Sequence, residues 1–300
     1  MRNIYSIVPD PHEIPLRSLL FAPAARTDLV AKLPRAGADL VTLDLEDGTA
    51  PGQAEEARAG AATALPALAA AGQCAYVRTN PPDHDSFPAD LAAVAPASPA
   101  GYVLPKCEDG DTVAAAAAAI AAAHGGEAPP LILGIETVAG VMEAPALAVS
   151  APSVQALYFG AEDFATSAGA RRTEAGDEVL YARSRVLLAA RAAGVRALDQ
   201  AIPDVRDDAR FAADAAAGRD LGYDGKLCIH PRQVELSHEA FTPSAEEIAA
   251  AARLLDAFEA ALAAGNATPL IDGRMVDEPL ARRARALVAS AGAEGVTSGN

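Results

Sequence analysis

Acidic residues stand where two short apolar runs end. Leu131-Ile132-Leu133-Gly134-Ile135 delivers Glu136, and Ala156-Leu157-Tyr158-Phe159-Gly160 delivers Glu162 and Asp163. Runs this short and continuously apolar suit strands buried on both faces, as in a parallel sheet covered by helices, and their C-terminal ends then lie side by side. Carboxylates brought together at such a mouth repel, and the usual remedies are a shared proton or a hard divalent cation. We read Glu136 and Asp163 as a Mg2+ site. The local alternative is that each acid caps the helix after it, Glu136 before Thr137 and Asp163 before Phe164.

Apolar runs centred near residues 20, 43, 76, 103, 133, 158, 197 and 227 alternate with helix-sized segments. That alternation predicts a TIM (β/α)8 barrel. No GxGxxG follows the first run, which weakens the case for an open dinucleotide-binding sheet. Helices are expected over 28–35, 55–71, 112–124 and 178–193, and the barrel with its proline-rich N-terminal arm takes residues 1–241. From Thr242 the pattern changes. Ser244-Ala245-Glu246-Glu247 is a capping box opening a helix that ends at Gly265, Asp272-Gly273 centres a two-residue hairpin, and Pro279 opens a last helix to about Ser290. Residues 242–300 are expected to form a C-terminal extension of helices and hairpin that packs on a neighbouring subunit.

In a TIM barrel the strand C-termini build the active site. Gathered from those ends, the chain offers Arg17, Asp44, Glu46, Asp47, Arg78, Lys106, Glu136, Glu162, Asp163, Asp199, Lys226 and His230. Both signs of charge are dense there, as a metal site handling an anion needs. Only three of the 24 basic residues are lysines, Lys32, Lys106 and Lys226, and the last two fall at strand ends.

The formal net charge of -16 argues against a nucleic-acid or anionic-membrane surface. With 51% hydrophobic content and 300 residues the chain can build one large core, formed chiefly from Ala, Val, Leu and Ile because it has no Trp, 7 Phe and 6 Tyr. Cys74, Cys107 and Cys228 are too few and too scattered for a disulfide framework or a CxxC metal site. Met1 to Pro15 carries no apolar h-region and three prolines, so a cytoplasmic protein without a membrane span is expected.

From Arg17 to Leu287 the sequence resembles the citrate lyase β-subunit-like family, CoA-ester lyases related to the HpcH/HpaI aldolases. The resemblance rests on an ordered series: Arg17-Ser18-Leu19-Leu20-Phe21 with Pro23, Asp44-Leu45-Glu46-Asp47, Val77-Arg78-Thr79-Asn80, Pro105-Lys106, Glu136-Thr137, Gly160-Ala161-Glu162-Asp163, Asp224 to Gln233, Phe241-Thr242-Pro243 and Met275-Val276-Asp277-Glu278-Pro279. It implies a TIM barrel, Mg2+ held by Glu136 and Asp163, and Arg78 on the reacting oxygens. It also implies cleavage of a 3-hydroxyacyl-CoA of citryl-CoA, malyl-CoA or citramalyl-CoA type into acetyl-CoA and a 2-oxo acid. Asp277 matches an aspartate implicated in proton transfer, supplied by a tail that covers a neighbour's barrel, so a homotrimer is expected. The local reading of Asp277 is a cap on the helix opened by Pro279.

Glu46 and Asp47 read either as acceptors for metal-bound waters or as helix caps. Lys106 and Lys226 read as contacts to the anionic CoA or as salt bridges, with Lys226 favoured for CoA because the family motif includes it. Arg17 either neutralises the acids or binds phosphate. The chain departs from the family pattern at Pro23-Ala24-Ala25 and at Gln53. Alternatives that share the residues are an aldolase for free 2-oxo acids, a malate-synthase-like thioesterase or condensing enzyme, and a non-catalytic paralogue.

Overall fold

The structure is a computed structural model and describes residues 15–297; the arm at 1–14 lies outside them. Eight parallel strands close into a barrel in chain order. They are β1 (Ser18–Pro23), β2 (Leu40–Asp44), β3 (Ala75–Arg78), β4 (Gly101–Leu104), β5 (Leu131–Ile135), β6 (Val154–Phe159), β7 (Arg196–Asp199) and β8 (Gly225–Cys228). The ring closes where β1 pairs with β2 on one side and with β8 on the other, Ser18 opposite Lys226. Outside lie α1 (Thr27–Val30), α2 (Ala54–Ala70), α3 (Phe87–Val94), α4 (Gly110–Ala123), α5 (Val138–Leu147), α6 (Ala161–Ala168), α7 (Asp177–Ala193), α8 (Asp208–Leu221) and α9 (Pro231–Phe241). This is the expected TIM barrel, with α6 as an extra helix between β6 and α7.

The helix expected over 28–35 is instead α1 followed by a separate 3₁₀ turn at Leu33–Arg35. Pro34 explains the break, since its nitrogen carries no proton for a continuing helical bond.

Strand side chains alternate, and here they serve two cores. Leu19, Leu40, Tyr76, Val103, Ile132, Tyr158, Leu198 and Leu227 fill the barrel interior. Leu20, Val41, Val77, Leu104, Leu133, Leu157, Ala197 and Cys228 pack outward against the helices. By this parity Asp44, Arg78 and Glu136 fall on the inward series. Lys226, next to inward Leu227, falls on the outward one.

Lys226 is accordingly completely buried, and its ammonium pairs with Asp214 of α8 and with Asp199 at 3.3 Å. Arg183 of α7 completes the group, donating to both Asp199 oxygens and ion-pairing with Asp214 at 3.2 Å. The expectation that Lys226 meets CoA is corrected: its side chain lies between strand and helix. Arg17 is also corrected. It precedes β1, so it stands at the N-terminal end of the strands, where it grips Asp39 with Nε at 3.0 Å and Nη2 at 2.8 Å. Charge at that face of a TIM barrel serves stability.

A second compact unit, Thr242–Asn300, follows the first, Met1–Phe241. It holds α10 (Ala245–Ala263), the β9 (Leu270–Ile271) and β10 (Arg274–Met275) hairpin, and α11 (Glu278–Thr297). Both arms of the capping box form: Ser244 Oγ accepts from Glu247 N at 3.2 Å and Glu247 returns to Ser244 N at 2.7 Å. Asp272 and Gly273 have φ of 50° and 77°, the left-handed pair that a two-residue hairpin with the strands' own twist requires. Phe258, Val276 and Ala281 form this unit's own small core. No helix among the described residues is long and apolar enough to cross a membrane.

Removing one member of a buried ion group leaves its partner uncompensated. Lys226→Met is therefore expected to lower the unfolding free energy by about 3 to 5 kcal/mol. Denaturant unfolding checks this, and wild-type stability would contradict the burial described.

Candidate active site

The inward, C-terminal ends of the strands enclose a cavity of about 370 Å³. Asp44, Arg78, Glu136, Tyr158, Glu162 and Asp163 line its polar side, while Phe21, Ala201, Leu227 and Ile229 supply apolar wall.

Asp44 ends β2 and aims Arg78, the last residue of β3. Its two oxygens accept Arg78 Nε and Nη2, each at 2.7 Å. The same oxygens accept backbone N–H from Glu46 at 3.0 Å and Gly48 at 2.8 Å. Gly48 is needed for that approach, because a Cβ there would lie 2.5 Å from Asp44 Oδ2. The Arg78 guanidinium also sits 5.0 Å from the Phe21 ring centroid and 3.2 Å from Glu46 Oε2. Gripped on one edge and one face, the fork keeps N–H groups for a ligand in the cavity it lines. Asp44, with every bond accounted for, orients the arginine.

Glu136 follows β5 and is 3% exposed. Its Oε1 accepts the Tyr158 hydroxyl at 2.5 Å and Lys106 N at 3.1 Å. Burial pushes its pKa up to about 7, against the downward pull of Arg78 and of the Tyr158 hydrogen bond. Space for the carboxylate comes from two glycines. A Cβ on Gly134 would stand 2.4 Å from Oε1, and one on Gly160 would stand 2.5 Å from Oε2. The helix cap here is Thr137, whose Oγ1 accepts Gly140 N at 3.1 Å, so Glu136 is released from that role.

Asp163 lies in the first turn of α6, where the helix dipole favours a carboxylate. It makes no hydrogen bond or ion pair among the described residues. Across the ring, Lys106 holds the left-handed φ of 50° after β4, a backbone setting that costs a side-chain-bearing residue of order 1 kcal/mol and that tends to gather at functional sites. Its ammonium meets Glu46 Oε1 at 2.5 Å and Asp47 Oδ1 at 3.3 Å. Burial works against that charge, but Glu46 and Asp47 raise its pKa on balance.

The donor set fits a hard divalent cation. Among the described residues neither Glu136 Oε2 nor the Asp163 carboxylate takes a hydrogen bond, and both residues line the same cavity and offer oxygen. Among the described residues no three His, Cys, Asp or Glu form a closed cage. Two carboxylates on one cavity suit Mg2+, which usually takes one or two carboxylates and leaves its other positions to water and substrate. Glu46 and Asp47 face Lys106 and Arg78 rather than the cavity lining. Asp277, in the second unit, accepts Leu280 N at 3.3 Å, which gives it the cap on α11.

Tyr158 and Asp44 shape the two functional side chains, yet no sequence motif marks Tyr158. Its only signal is register. Tyr158 pairs with Gly134 across β5 and β6, two residues before Glu136 on the same inward face.

The packing around Glu136 is testable. Gly160→Ala is expected to lower stability by about 1 to 3 kcal/mol, the cost of overpacking a filled site. A crystal structure of the variant should show the Glu136 carboxylate turned from its present place; an unmoved Glu136 at wild-type stability would contradict this packing.

Known proteins share this architecture. Residues 17–231 match the family described as HpcH/HpaI aldolase/citrate lyase. The citrate lyase subunit beta-like protein of Deinococcus radiodurans is 46% identical over 279 residues, spanning 91% of this chain and 96% of that one. The L-malyl-CoA/beta-methylmalyl-CoA lyase of Cereibacter sphaeroides is 32% identical, with 96% and 98% covered. Protein CitE from Mycobacterium tuberculosis, solved in complex with magnesium, acetoacetate and coenzyme A, superposes with a TM-score of 0.80 at 30% identity, over 93% of this chain and 99% of that one. On the profile match and these identities, the chain belongs to the HpcH/HpaI aldolase/citrate lyase family.

Proposed function

We propose that this protein is a Mg2+-dependent CoA-ester lyase that cleaves a 3-hydroxyacyl-CoA into acetyl-CoA and a 2-oxo acid. The observation that carries the reading is the meeting of Glu136, Asp163 and a pre-aimed Arg78 on one cavity. Its relatives include a malyl-CoA lyase, and a structural neighbour is complexed with magnesium and coenzyme A. Citryl-CoA, malyl-CoA and citramalyl-CoA are the substrates to compare.

In cleavage the 3-hydroxyl loses its proton and becomes the carbonyl of the 2-oxo acid. The C2–C3 electron pair passes to the thioester enolate, and a proton returned to C2 completes acetyl-CoA. Glu136 and Asp163 would hold Mg2+, which supplies Lewis-acid charge for the carboxylate and carbonyl oxygens of the 2-oxo acid. Arg78 offers fixed N–H donors where oxyanion charge develops, at no cost of reorganisation. Tyr158 keeps Glu136 turned so that Oε2 is the free oxygen. Lys106 is held as an ammonium by two carboxylates, which argues against an imine route through that lysine.

The proton for C2 we assign to Asp277, supplied by the tail of a neighbouring copy in a homotrimer. What supports this is the family segment Met275-Val276-Asp277 and a carboxylate placed at the start of α11. Glu46 and Asp47, through Lys106, are proposed to set the charge behind the metal waters.

Purified protein assayed on the three thioesters should turn over at least one, lose activity to a chelator and regain it with Mg2+. Arg78→Lys keeps a charge beside buried Asp44 but loses the fork, so kcat should fall by ~10² to 10³-fold with a smaller change in KM. An unchanged kcat with a raised KM would reassign Arg78 to ground-state binding.

Inactive Asp277→Ala and inactive Glu136→Ala subunits, mixed under exchange conditions, should recover activity in hybrid assemblies. Confirmed exchange without recovery, or full activity in Asp277→Ala alone, would refute the role of the tail.

A further inference from the structure

Asp163 carries half of the proposed metal site, and among the described residues its side chain makes no hydrogen bond or ion pair. Its place is fixed by α6, a helix of eight residues whose first position follows Gly160 without a side-chain cap. Core packing of Ala161, Phe164 and Ala165 and the Val138 N–H donated to Ser167 Oγ at 3.1 Å seat that helix, and the polar connection after it adds a tie at its first turn.

Arg172 lies between α6 and α7, and each of its three guanidinium nitrogens donates to a different element. Nε meets Glu162 Oε1 of α6 at 2.9 Å, Nη1 meets Glu178 Oε1 of α7 at 2.5 Å, and Nη2 meets the Gln200 side-chain oxygen, just past β7, at 3.1 Å. Glu162 is the residue before Asp163. Two of the three anchors, Glu178 and Gln200, are themselves secured, while the Glu162 side chain is half exposed. Glu178 accepts Thr173 N at 3.1 Å and Thr173 Oγ1 at 2.6 Å. Burial pushes its pKa up, but the combined hydrogen bonds from Thr173, the backbone and Arg172 outweigh it and draw the pKa down to about 2. Gln200 is 2% exposed and donates to Asp214 Oδ1 at 3.0 Å, joining the buried Lys226, Arg183 and Asp199 group. A continuous chain of bonds thus runs from the buried charges beneath β7 and β8, through Gln200 and Arg172, to the first turn of α6.

A planar fork is the right device for this task. It fixes three acceptors in one plane, whereas an ammonium on a flexible stem sets no angle between them.

We propose that Arg172 is a positioning residue for Asp163, holding α6 at the angle that brings the Asp163 carboxylate to the metal shared with Glu136. The proposal rests on the reading of Glu136 and Asp163 as metal ligands. Partners that orient metal ligands typically change metal affinity by ~10- to 100-fold when lost. Arg172 touches neither the metal nor the substrate in this scheme, so its loss should act on Mg2+ affinity before it acts on chemistry.

The experiment measures Mg2+ binding by calorimetry on substrate-free protein for wild type, Glu136→Ala, Arg172→Ala, Arg172→Lys and Glu162→Gln, with thermal unfolding of each. Arg172→Ala should weaken Mg2+ ~10- to 100-fold and raise the Mg2+ concentration for half-maximal turnover by the same factor, with kcat at saturating Mg2+ changed less than about threefold. Arg172→Lys should recover only part of the affinity, and Glu162→Gln should fall between it and wild type. If Arg172→Ala does not fold, the Lys and Gln variants carry the same comparison. Mg2+ affinity within twofold of wild type in the folded variants, whatever their melting temperatures, overturns the proposal. Equal Mg2+ binding by wild type and Glu136→Ala refutes the ligand assignment instead, and the clamp falls with it.

Discussion

Strand side chains alternate, and in a closed barrel that alternation sends each residue either into the ring or out against the helices. The active cavity depends on this constraint. Asp44, Arg78, Glu136 and Tyr158 come from four different strands or their ends, yet all share the inward parity of Leu40, Tyr76, Ile132 and Ala156. Lys226 breaks from them by one position, and the consequence is complete: its ammonium meets Asp214 and Asp199 between sheet and helix. One residue of register separates a site group from a structural one.

The mouth is an electrostatic problem solved locally. A chain of net charge -16 gathers Asp44, Glu136, Glu162 and Asp163 around one opening, with Glu46 behind them, and gives them different answers. Asp44 takes backbone N–H and Arg78; Glu46 takes Lys106 and Arg78; Glu162 takes Arg172. Glu136 is left buried with a raised pKa, and Asp163 makes no side-chain hydrogen bond or ion pair among the described residues. Glu136, buried and hydrogen-bonded but without an ion pair among the described residues, points to the place where an added cation would stabilise, because burying charge without a counter-charge is costly. The cations are each engaged as well, so they enter the cavity as oriented donors rather than mobile charges.

Glycines give the carboxylates their room. Gly48 admits Asp44, while Gly134 and Gly160 admit Glu136 from two sides. These positions have no chemistry of their own; they are small because a methyl group would occupy the space of a functional oxygen. Gly134, inside β5, marks a close approach rather than a turn.

Local rules were legible in the sequence. The alternation of apolar runs and helix-sized segments determined the barrel, since eight buried parallel strands with covering helices have few other ways to close. The capping box at Ser244 and the Asp272-Gly273 turn follow from bonds within a few residues. The acid-tipped strands β5 and β6, the family series and the candidate pair Glu136 and Asp163 were also readable along the chain. Inward and outward faces were not, because β8 is buried on both sides and a strand covered on both faces carries no clean polar alternation to betray its register. Hence Lys226 looked like a mouth residue, and Arg17, at the start of β1, looked as if it stood at its end. Tyr158 and Arg172 were invisible for a related reason: what they do is set by partners 22 and 28 residues away in sequence, Glu136 and Gln200, and only closure of the ring and packing of α6 bring those partners within hydrogen-bond distance.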